Sequence, residues 1–188
     1  MNEVLDFWFG RSHSPEFGKF HNKWFEKDAD FDAQVRAGFL PQYELAASGK
    51  LDSWQDSPDN CLALIILLDQ FPRNMFRGTP QAFATDNKAL ATAEYAVNNK
   101  FDRELLTVQK SFIYLPFEHS ENLENQQKSV KLFRQLSGEP DSDSVIEYAQ
   151  NHLEIIERFG RFPHRNEILG RETTPEEAEF LRQPGSGF

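Results

Sequence analysis

The sequence lacks the features that mark secreted and membrane-spanning proteins. Its single cysteine, Cys61, cannot form a disulfide within the chain. The longest apolar run, from Cys61 to Leu68, has eight residues, whereas a membrane-spanning helix needs about 20. The opening residues, Met1 to Val4, contain no lysine or arginine of the kind typical of a signal peptide. We therefore expect a cytoplasmic protein without a membrane partner.

Basic residues are also few. The chain has 20 lysines and arginines against 30 aspartates and glutamates, so its formal net charge at pH 7 is -10. A surface of this sign repels the phosphate groups of nucleic acids and of anionic lipids. No stretch of the sequence combines clustered basic residues with aromatic ones in the manner of a nucleic-acid-binding surface. We therefore expect no nucleic-acid partner.

Side chains branched at the β-carbon are scarce, which argues against a β-sheet. Val and Ile together number 13, whereas Leu and Ala together number 32, and the latter two favour helices. Hydrophobic residues make up 39% of the 188 residues and include 18 Phe, enough for one packed core in a chain of this length. We predict a single all-α domain covering residues 1–188.

Hydrophobic spacing predicts about eight or nine helices arranged as antiparallel pairs. The predicted helices cover residues 4–9, 31–48, 59–70, 80–99, 103–114, 121–136, 142–159 and 176–181. Asp30 is predicted as the N-cap of the second helix, and Pro41 as the site of a kink or break within it. The third helix is apolar nearly all round and is predicted to be the buried central one, although a buried strand is the rival interpretation of its apolar run.

Three of these helices run into similar short segments, in which a hydrophobic residue precedes proline and polar residues crowd around it. The segments are LDQFPRN at 68–74, YLPFEHSE at 114–121 and FGRFPHRN at 159–166. Their prolines are 44 and 47 residues apart, about the length of one helix pair in helical-repeat proteins. Stacking such pairs in register would bring the three segments to one side of the molecule, where we predict the functional site.

The polar residues of these segments are suited to binding a small anion, such as a carboxylate or phosphate compound, because arginine neutralises and hydrogen-bonds such groups. The predicted ligand-binding residues are Asp69, Arg73, Asn74, Arg77, Glu121, Arg158, Arg161, His164, Arg165 and Asn166. A purely structural role is the alternative, since proline and arginine are common at helix C-termini. Asp69 fits the structural alternative poorly, because a carboxylate near a helix C-terminus is repelled by the negative end of the helix dipole. A cation such as Arg73 or Arg77 would have to pair with it.

Two other functions stay open from the sequence. In the first, the protein is an enzyme in which Glu118, His119 and His152 exchange protons with a substrate. His152 lies on an apolar helix face, so a core role is its alternative interpretation. In the second, the protein is an interaction module that holds a protein partner in a helical-repeat groove. No metal, dinucleotide or phosphate-loop motif occurs, so neither a metal nor a cofactor is predicted, and the oligomeric state stays open.

The three segments, together with the opening VLDFWFG at 4–10 and the closing PGSGF at 184–188, resemble the signatures of a bacterial domain-of-unknown-function family, number 924. The resemblance spans nearly the whole chain, and its one departure is Gly187, where the family pattern has serine. It implies an all-α fold related to tetratricopeptide-like helical repeats. It implies no activity, and the chain lacks the Trp-Leu-Gly-Tyr consensus of tetratricopeptide repeats, so peptide-scaffold behaviour does not follow from it.

Overall fold

Eight α-helices and five short 3₁₀ helices make up the computed structural model, which describes residues 3–140 and 142–187. The α-helices are α1 (Glu3–Phe9), α2 (Ala29–Ala47), α3 (Pro58–Met75), α4 (Asp86–Asn98), α5 (Thr107–Glu118), α6 (Leu123–Arg134), α7 (Ser142–Phe159) and α8 (Pro175–Leu181). No β-strand occurs in the described ranges, which confirms the all-α class and excludes a strand at 61–68. Within these ranges, none of the helices combines the length and the apolar surface that crossing a membrane requires. The closing Phe188 lies outside the described residues.

Helix α3 is the centre of the structure because its surface is apolar on nearly every side. Each residue from Cys61 to Pro72 is buried, including the polar Asp69 and Gln70. Helices α1, α2, α4 and α5 all pack against it. From α2 to α7 each helix packs on the next one along the chain, and the short connections make neighbours antiparallel. The predicted central helix is thereby confirmed.

Helix α1 is short, and an aromatic cluster holds it against the body of the protein. The Trp8 ring is fully buried, with its centroid 5.4 Å from that of Phe71 in α3 and 5.7 Å from that of Phe112 in α5. Trp24 stacks on Trp8 and donates its indole N–H to the Trp8 carbonyl oxygen over 3.0 Å. The core therefore includes the first helix of the chain.

The prolines of the first two polar segments lie inside helices, contrary to the prediction that these helices end before them. Helix α3 continues past Pro72, α5 continues past Pro116, and α2 runs unbroken through Pro41. Pro72 has no N–H to donate to the carbonyl of Leu68, and the hydroxyl of Thr85 donates to this oxygen instead over 2.6 Å. A hydrogen bond from outside α3 thus replaces the one that the proline removes.

Two predicted helix starts are 3₁₀ turns in the structure. Residues Pro80–Phe83 and Phe101–Glu104 form 3₁₀ helices, so that α4 begins only at Asp86 and α5 only at Thr107. Lys100 separates α4 from the second turn with a left-handed backbone, at a φ of 63°, which a regular α-helix cannot accommodate. The predictions at 80 and 103 placed helical turns correctly but gave them the wrong type.

The N-cap of α2 is Asp28 rather than the predicted Asp30. The Asp28 carboxylate accepts hydrogen bonds from the backbone N–H groups of Asp30 and Phe31 at 2.9 and 3.1 Å, two donors that have no partner within the helix. We expect Asp28→Ala to lower the free energy of unfolding by about 1 kcal/mol, and Asp30→Ala to lower it by about 0.3 kcal/mol, as measured by urea denaturation. Equal losses in the two variants would contradict the capping role.

Candidate functional site

The three proline-containing segments meet at one point in the structure. Asp69, in α3, is hydrogen-bonded to His119, which follows α5: Asp69 Oδ1 and His119 Nδ1 are 2.7 Å apart. Arg165, in the 3₁₀ helix Pro163–Arg165, donates a hydrogen bond from Nη1 to the His119 backbone carbonyl over 3.0 Å. One residue from each segment therefore contributes to a single cluster, on which the site can be built.

The Asp69 carboxylate is fully buried and is held in its charged form by its neighbours. Besides the bond to His119, Gln70 Nε2 donates to Asp69 Oδ2 over 2.6 Å, and the Arg73 guanidinium lies 3.9 Å from Oδ1. Burial by itself raises the pKa of Asp69, but the charge and hydrogen bond of His119, together with Arg73 and Gln70, lower it below its usual value. Asp69 is therefore an anion that fixes the orientation of the imidazole.

The His119 imidazole connects this buried carboxylate to a surface cleft. Its Nδ1 is bonded to Asp69, whereas Nε2 makes no hydrogen bond to any described residue. The side chain is 16% exposed and lines the cleft. In a neutral imidazole whose Nδ1 donates to a carboxylate, Nε2 carries a lone pair. In its neutral form His119 thus presents a hydrogen-bond acceptor, and a proton acceptor, to whatever occupies the cleft.

Arg165 is a buried cation with unused hydrogen-bond donors. Its guanidinium contacts two aromatic rings, 4.8 Å from the Phe83 centroid and 4.5 Å from that of Phe162. Apart from the His119 carbonyl, its nearest partner is the Asp86 carboxylate, 3.8 Å away, and Nε has no hydrogen-bond partner among the described residues. Burial is the main cause that lowers the pKa of Arg165 to about 10, so the side chain remains charged at neutral pH.

Arg73, by contrast, donates hydrogen bonds within the protein from both of its terminal nitrogens. Its Nη2 donates to Asp86 Oδ2 over 2.9 Å, and its Nη1 donates to the Ala82 carbonyl. Its guanidinium also lies 4.6 Å from the centroid of the Phe83 ring. Arg73 therefore fastens the 3₁₀ helix Pro80–Phe83 and the start of α4 to the end of α3, and it forms an ion pair with Asp86.

A cleft of about 360 Å³ opens beside His119 and Arg165. Its polar lining consists of Asp86, Asn87, His119, Ser120, Glu121 and Arg165. Its apolar lining consists of Pro80, Phe83, Ala84, Leu90, Pro116 and Leu169. An apolar surface with a few convergent polar groups is typical of sites for small organic ligands.

Glu121 holds the third segment in place at the edge of the cleft. Its carboxylate accepts hydrogen bonds from the Phe162 backbone N–H at 2.8 Å and from Arg171 at 2.6 and 3.0 Å. Burial by itself raises the pKa of Glu121, but these hydrogen bonds and the Arg171 charge lower it below its usual value. Gln126 supports the same region by donating to the Ser120 carbonyl over 2.7 Å. Glu121 is therefore already paired and is not available to a ligand as a free carboxylate.

Glu118 and His152 form a second pair, which is buried and does not line the cleft. Glu118 Oε1 lies 3.4 Å from His152 Nδ1, which also donates to the Tyr148 carbonyl over 2.9 Å. Burial, with some repulsion from Asp69, raises the pKa of Glu118 to about 8, and burial lowers the pKa of His152 to about 3. Both side chains are therefore mainly uncharged at neutral pH, as residues of the interior are expected to be.

Two of the predicted ligand-binding residues, one at the end of the first segment and one three residues beyond it, face α2 instead of the cleft. Asn74 Nδ2 donates to Asp32 Oδ1 over 2.7 Å, and Arg77 Nε donates to Asp32 Oδ2 over 2.7 Å. Helical phase explains the separation: Asp69 and Arg73 are neighbours on one face of α3, whereas Asn74 lies on the adjacent face. Asn74 and Arg77 thus join α2 to α3.

Polar residues in and directly before the third segment hold helix α8. Arg158 pairs with Glu176 at 3.0 Å, and Arg161 pairs with Glu177 at 2.6 Å. The buried Asn166 donates to the same Glu177 over 3.2 Å. These three predicted ligand-binding residues lie outside the cleft lining, and their partners in α8 account for their charge and polarity.

His164 lies beside Arg165 without lining the cleft. Burial, with repulsion from Arg165, lowers the pKa of His164 to about 4, so its imidazole is neutral at pH 7. Within residues 3–140 and 142–187, no three His, Cys, Asp or Glu side chains are grouped closely enough to hold a metal ion.

Sequence reasoning missed three residues that shape the site: Phe83, Asp86 and Arg171. Phe83 and Asp86 lie outside the three segments, and the tertiary fold brings them against Arg73 and Arg165. Arg171 is 50 positions from its partner Glu121 in the sequence. No local pattern marks these residues, because their roles depend on which helices become neighbours.

The fold and the site define an all-α protein in which a buried carboxylate, an imidazole and a guanidinium meet at a surface cleft. The chain belongs to the family described as bacterial protein of unknown function, DUF924, which matches residues 4–185. It is similar to the solved structure of a protein of unknown function, ATU0120 from Agrobacterium tumefaciens. The two are 42% identical over 96% of this chain and 95% of that one, with a TM-score of 0.85. No curated protein matches the chain.

Proposed function

We propose that the protein binds a small anionic compound, of the carboxylate or phosphate type, in the cleft beside His119 and Arg165. The state of Arg165 is the observation that supports this most. Buried polar groups are normally hydrogen-bonded, whereas Arg165 makes one hydrogen bond and leaves Nε without a partner among the described residues. A carboxylate or phosphate group in the cleft would accept a charge-assisted hydrogen bond from this guanidinium.

Neighbouring groups in the cleft complement the guanidinium. The Ser120 hydroxyl oxygen accepts from the Asn122 backbone at 3.3 Å and from the Asn125 side chain at 3.0 Å, so its own O–H remains available to donate. His119 Nε2 offers an acceptor, or a donor once it is protonated. The apolar part of the lining suits the carbon skeleton of a small organic acid or phosphate ester.

Thermal unfolding with inorganic phosphate, succinate and citrate tests this proposal. At about 100 times its Kd, a binding anion should add about 2.7 kcal/mol of stability. We expect Arg165→Met to weaken binding at least about tenfold, because a charge-assisted hydrogen bond is worth about 1.5–3 kcal/mol. The same change at Arg77, which pairs with Asp32 outside the cleft, is the matched control and should leave binding unchanged.

Isothermal titration calorimetry at a temperature where all variants are folded separates binding from stability. Sodium chloride at equal ionic strength controls for general screening of surface charge. Stabilisation by none of the three anions would contradict the proposal, as would equal affinity of the wild type and Arg165→Met.

We also propose that the helix pairs constitute a tetratricopeptide-like repeat and that the protein works in the cytoplasm of a bacterium. The packing of each helix from α2 to α7 on the next supports the repeat. Cys61 is a lone buried thiol, and burial raises its pKa to about 12, so it is unreactive and suits a reducing compartment. The family description as bacterial supports the source.

A further inference from the structure

The Asp69–His119 pair has the geometry of a general base held by a carboxylate. Asp69 is fully buried and Oδ1 lies 2.7 Å from His119 Nδ1, so one ring nitrogen is fixed from the interior. The other nitrogen belongs to a side chain that lines the cleft and has no partner among the described residues. Such a carboxylate selects the tautomer with an unprotonated Nε2 and stabilises the imidazolium that forms when Nε2 accepts a proton.

We propose that the cleft is a hydrolytic active site in which His119 is the general base, and that its substrate is a small ester carrying a separate carboxylate or phosphate group. This proposal rests on the proposed function, because Arg165 holds the anionic group of the substrate beside the imidazole. Arg165 Nη1 is bonded to the His119 backbone carbonyl at 3.0 Å, so the two functional groups have a fixed spacing. The cleft volume of about 360 Å³ limits the substrate to small molecules.

Water is the nucleophile in this proposal. Cys61 is buried in the core, and the Ser120 hydroxyl makes no hydrogen bond to His119 among the described contacts, so no side-chain nucleophile is activated by the imidazole. The His119 side chain is 16% exposed, which gives water access to Nε2. Removal of a proton from carbon, the other common task of such a base, is favoured by exclusion of water from the site.

The chemical step needs no redox partner or cofactor. His119 Nε2 accepts a proton from water while the water oxygen forms a bond to the ester carbonyl carbon. The electron pair of the carbonyl double bond moves onto its oxygen and then returns, and the bond from the acyl carbon to the alkoxy oxygen breaks. The proton on Nε2 passes to the departing alkoxide, which leaves a carboxylic acid, an alcohol and neutral His119. Asp69 remains ionised throughout and is a positioning residue.

Glu118 and His152 have no part in this step, although the sequence offered both as acid–base residues. Neither lines the cleft, and both are buried. Of the three acid–base residues that the sequence predicts, His119 is therefore the one that transfers the proton in this proposal.

Hydrolysis of mono-4-nitrophenyl succinate, compared with the neutral ester 4-nitrophenyl acetate, tests the proposal. We expect the wild type to prefer the anionic ester and His119→Gln to lower kcat by about 10²–10⁴-fold while succinate binding persists. Asp69→Asn should lower kcat at least about 10²-fold with KM little changed, because it acts through His119. His13→Gln, an exposed histidine outside the cleft, is the matched control.

A second variant keeps the test informative if the buried Asp69→Asn substitution unfolds the protein. His119→Ala leaves a space at the cleft surface, and added imidazole should restore part of the lost turnover. Rescue by imidazole is expected of a missing base and not of a missing packing contact.

The binding and catalytic proposals can fail separately. Succinate binding without hydrolysis of either ester above the His119→Gln level would overturn the catalytic proposal alone. Hydrolysis that depends on His119, with no succinate binding and no preference for the anionic ester, would overturn the binding proposal and the anionic substrate, and would leave only the role of His119 as the base. Absence of both binding and turnover would overturn both.

Discussion

Trp8→Ala is expected to lower the free energy of unfolding by about 3–5 kcal/mol. Trp8 is the largest fully buried side chain in the described ranges, and its centroid lies 5.4–5.9 Å from those of Trp24, Phe31, Phe71 and Phe112. Four rings would therefore line the cavity, and they are too rigid to fill it. A domain is stable by only about 5–15 kcal/mol, so urea denaturation should show a large fall in the midpoint.

Trp8→Phe separates the cavity from the chemistry of the indole. The Trp8 Nε1 donor is buried without a hydrogen-bond partner among the described residues, so phenylalanine removes an unsatisfied group while keeping most of the apolar volume. We expect it to cost less than about 1.5 kcal/mol. A loss as large as that of the alanine variant would contradict the cavity explanation.

The free energy of unfolding is expected to fall as the pH rises from about 6.5 to 8, with Glu118 as the cause. Glu118 has a pKa of about 8 in the folded protein, against the usual 4.5. Above pH 4.5 the unfolded chain releases this proton, whereas the folded protein retains it, so stability falls until the folded pKa is passed. The part of this loss between pH 6.5 and 8 amounts to about 2 kcal/mol.

His152 and His164 act in the opposite direction below pH 6.5. Their folded pKa values are about 3 and about 4, against the usual 6.5. As the pH falls below 6.5 the unfolded chain takes up protons that the folded protein does not, and stability falls. Below pH 6.5 the loss of stability caused by the two histidines exceeds the gain caused by Glu118. The free energy of unfolding should therefore be greatest near pH 6.5.

Glu118→Gln tests the alkaline limb of this profile. The amide has the size of the carboxyl group but does not titrate, so the fall between pH 6.5 and 8 should disappear in urea denaturation curves. Glu124→Gln, at an exposed position of α6, is the matched control and should keep the fall. An unchanged fall in Glu118→Gln would exclude Glu118 as its cause.

The sequence predicted the helices well because hydrophobic spacing is a local property. The apolar run from Cys61 to Leu68 leaves no polar side for solvent, so α3 had to be central. Helix ends were predicted less well. Proline commonly follows helix ends, so the sequence predicts that α3 ends before Pro72, and nothing near Pro72 in the sequence shows that Thr85 supplies a replacement hydrogen bond.

The candidate site was predictable in part, for a similar reason. The similar spacing of three prolines predicts that the segments containing Asp69, His119 and Arg165 lie on one side of the molecule, and the structure brings these residues together. The same spacing could not separate Arg73, which contacts the cleft wall, from Arg77, which binds α2. That distinction depends on the partner helix, which local sequence does not specify.

The bond from Thr85 to the Leu68 carbonyl also helps to fix the shape of the cleft. It ties the chain entering α4 to the end of α3, and Arg73 adds a second tie through Asp86. The opposite wall is fixed to the same helix, because the His119 ring is bonded to Asp69. Both walls thus share α3 as a common base, which makes the site preorganised. A ligand that bound in this cleft would lose little binding free energy to the ordering of side chains. Its binding would also require no movement of a lid.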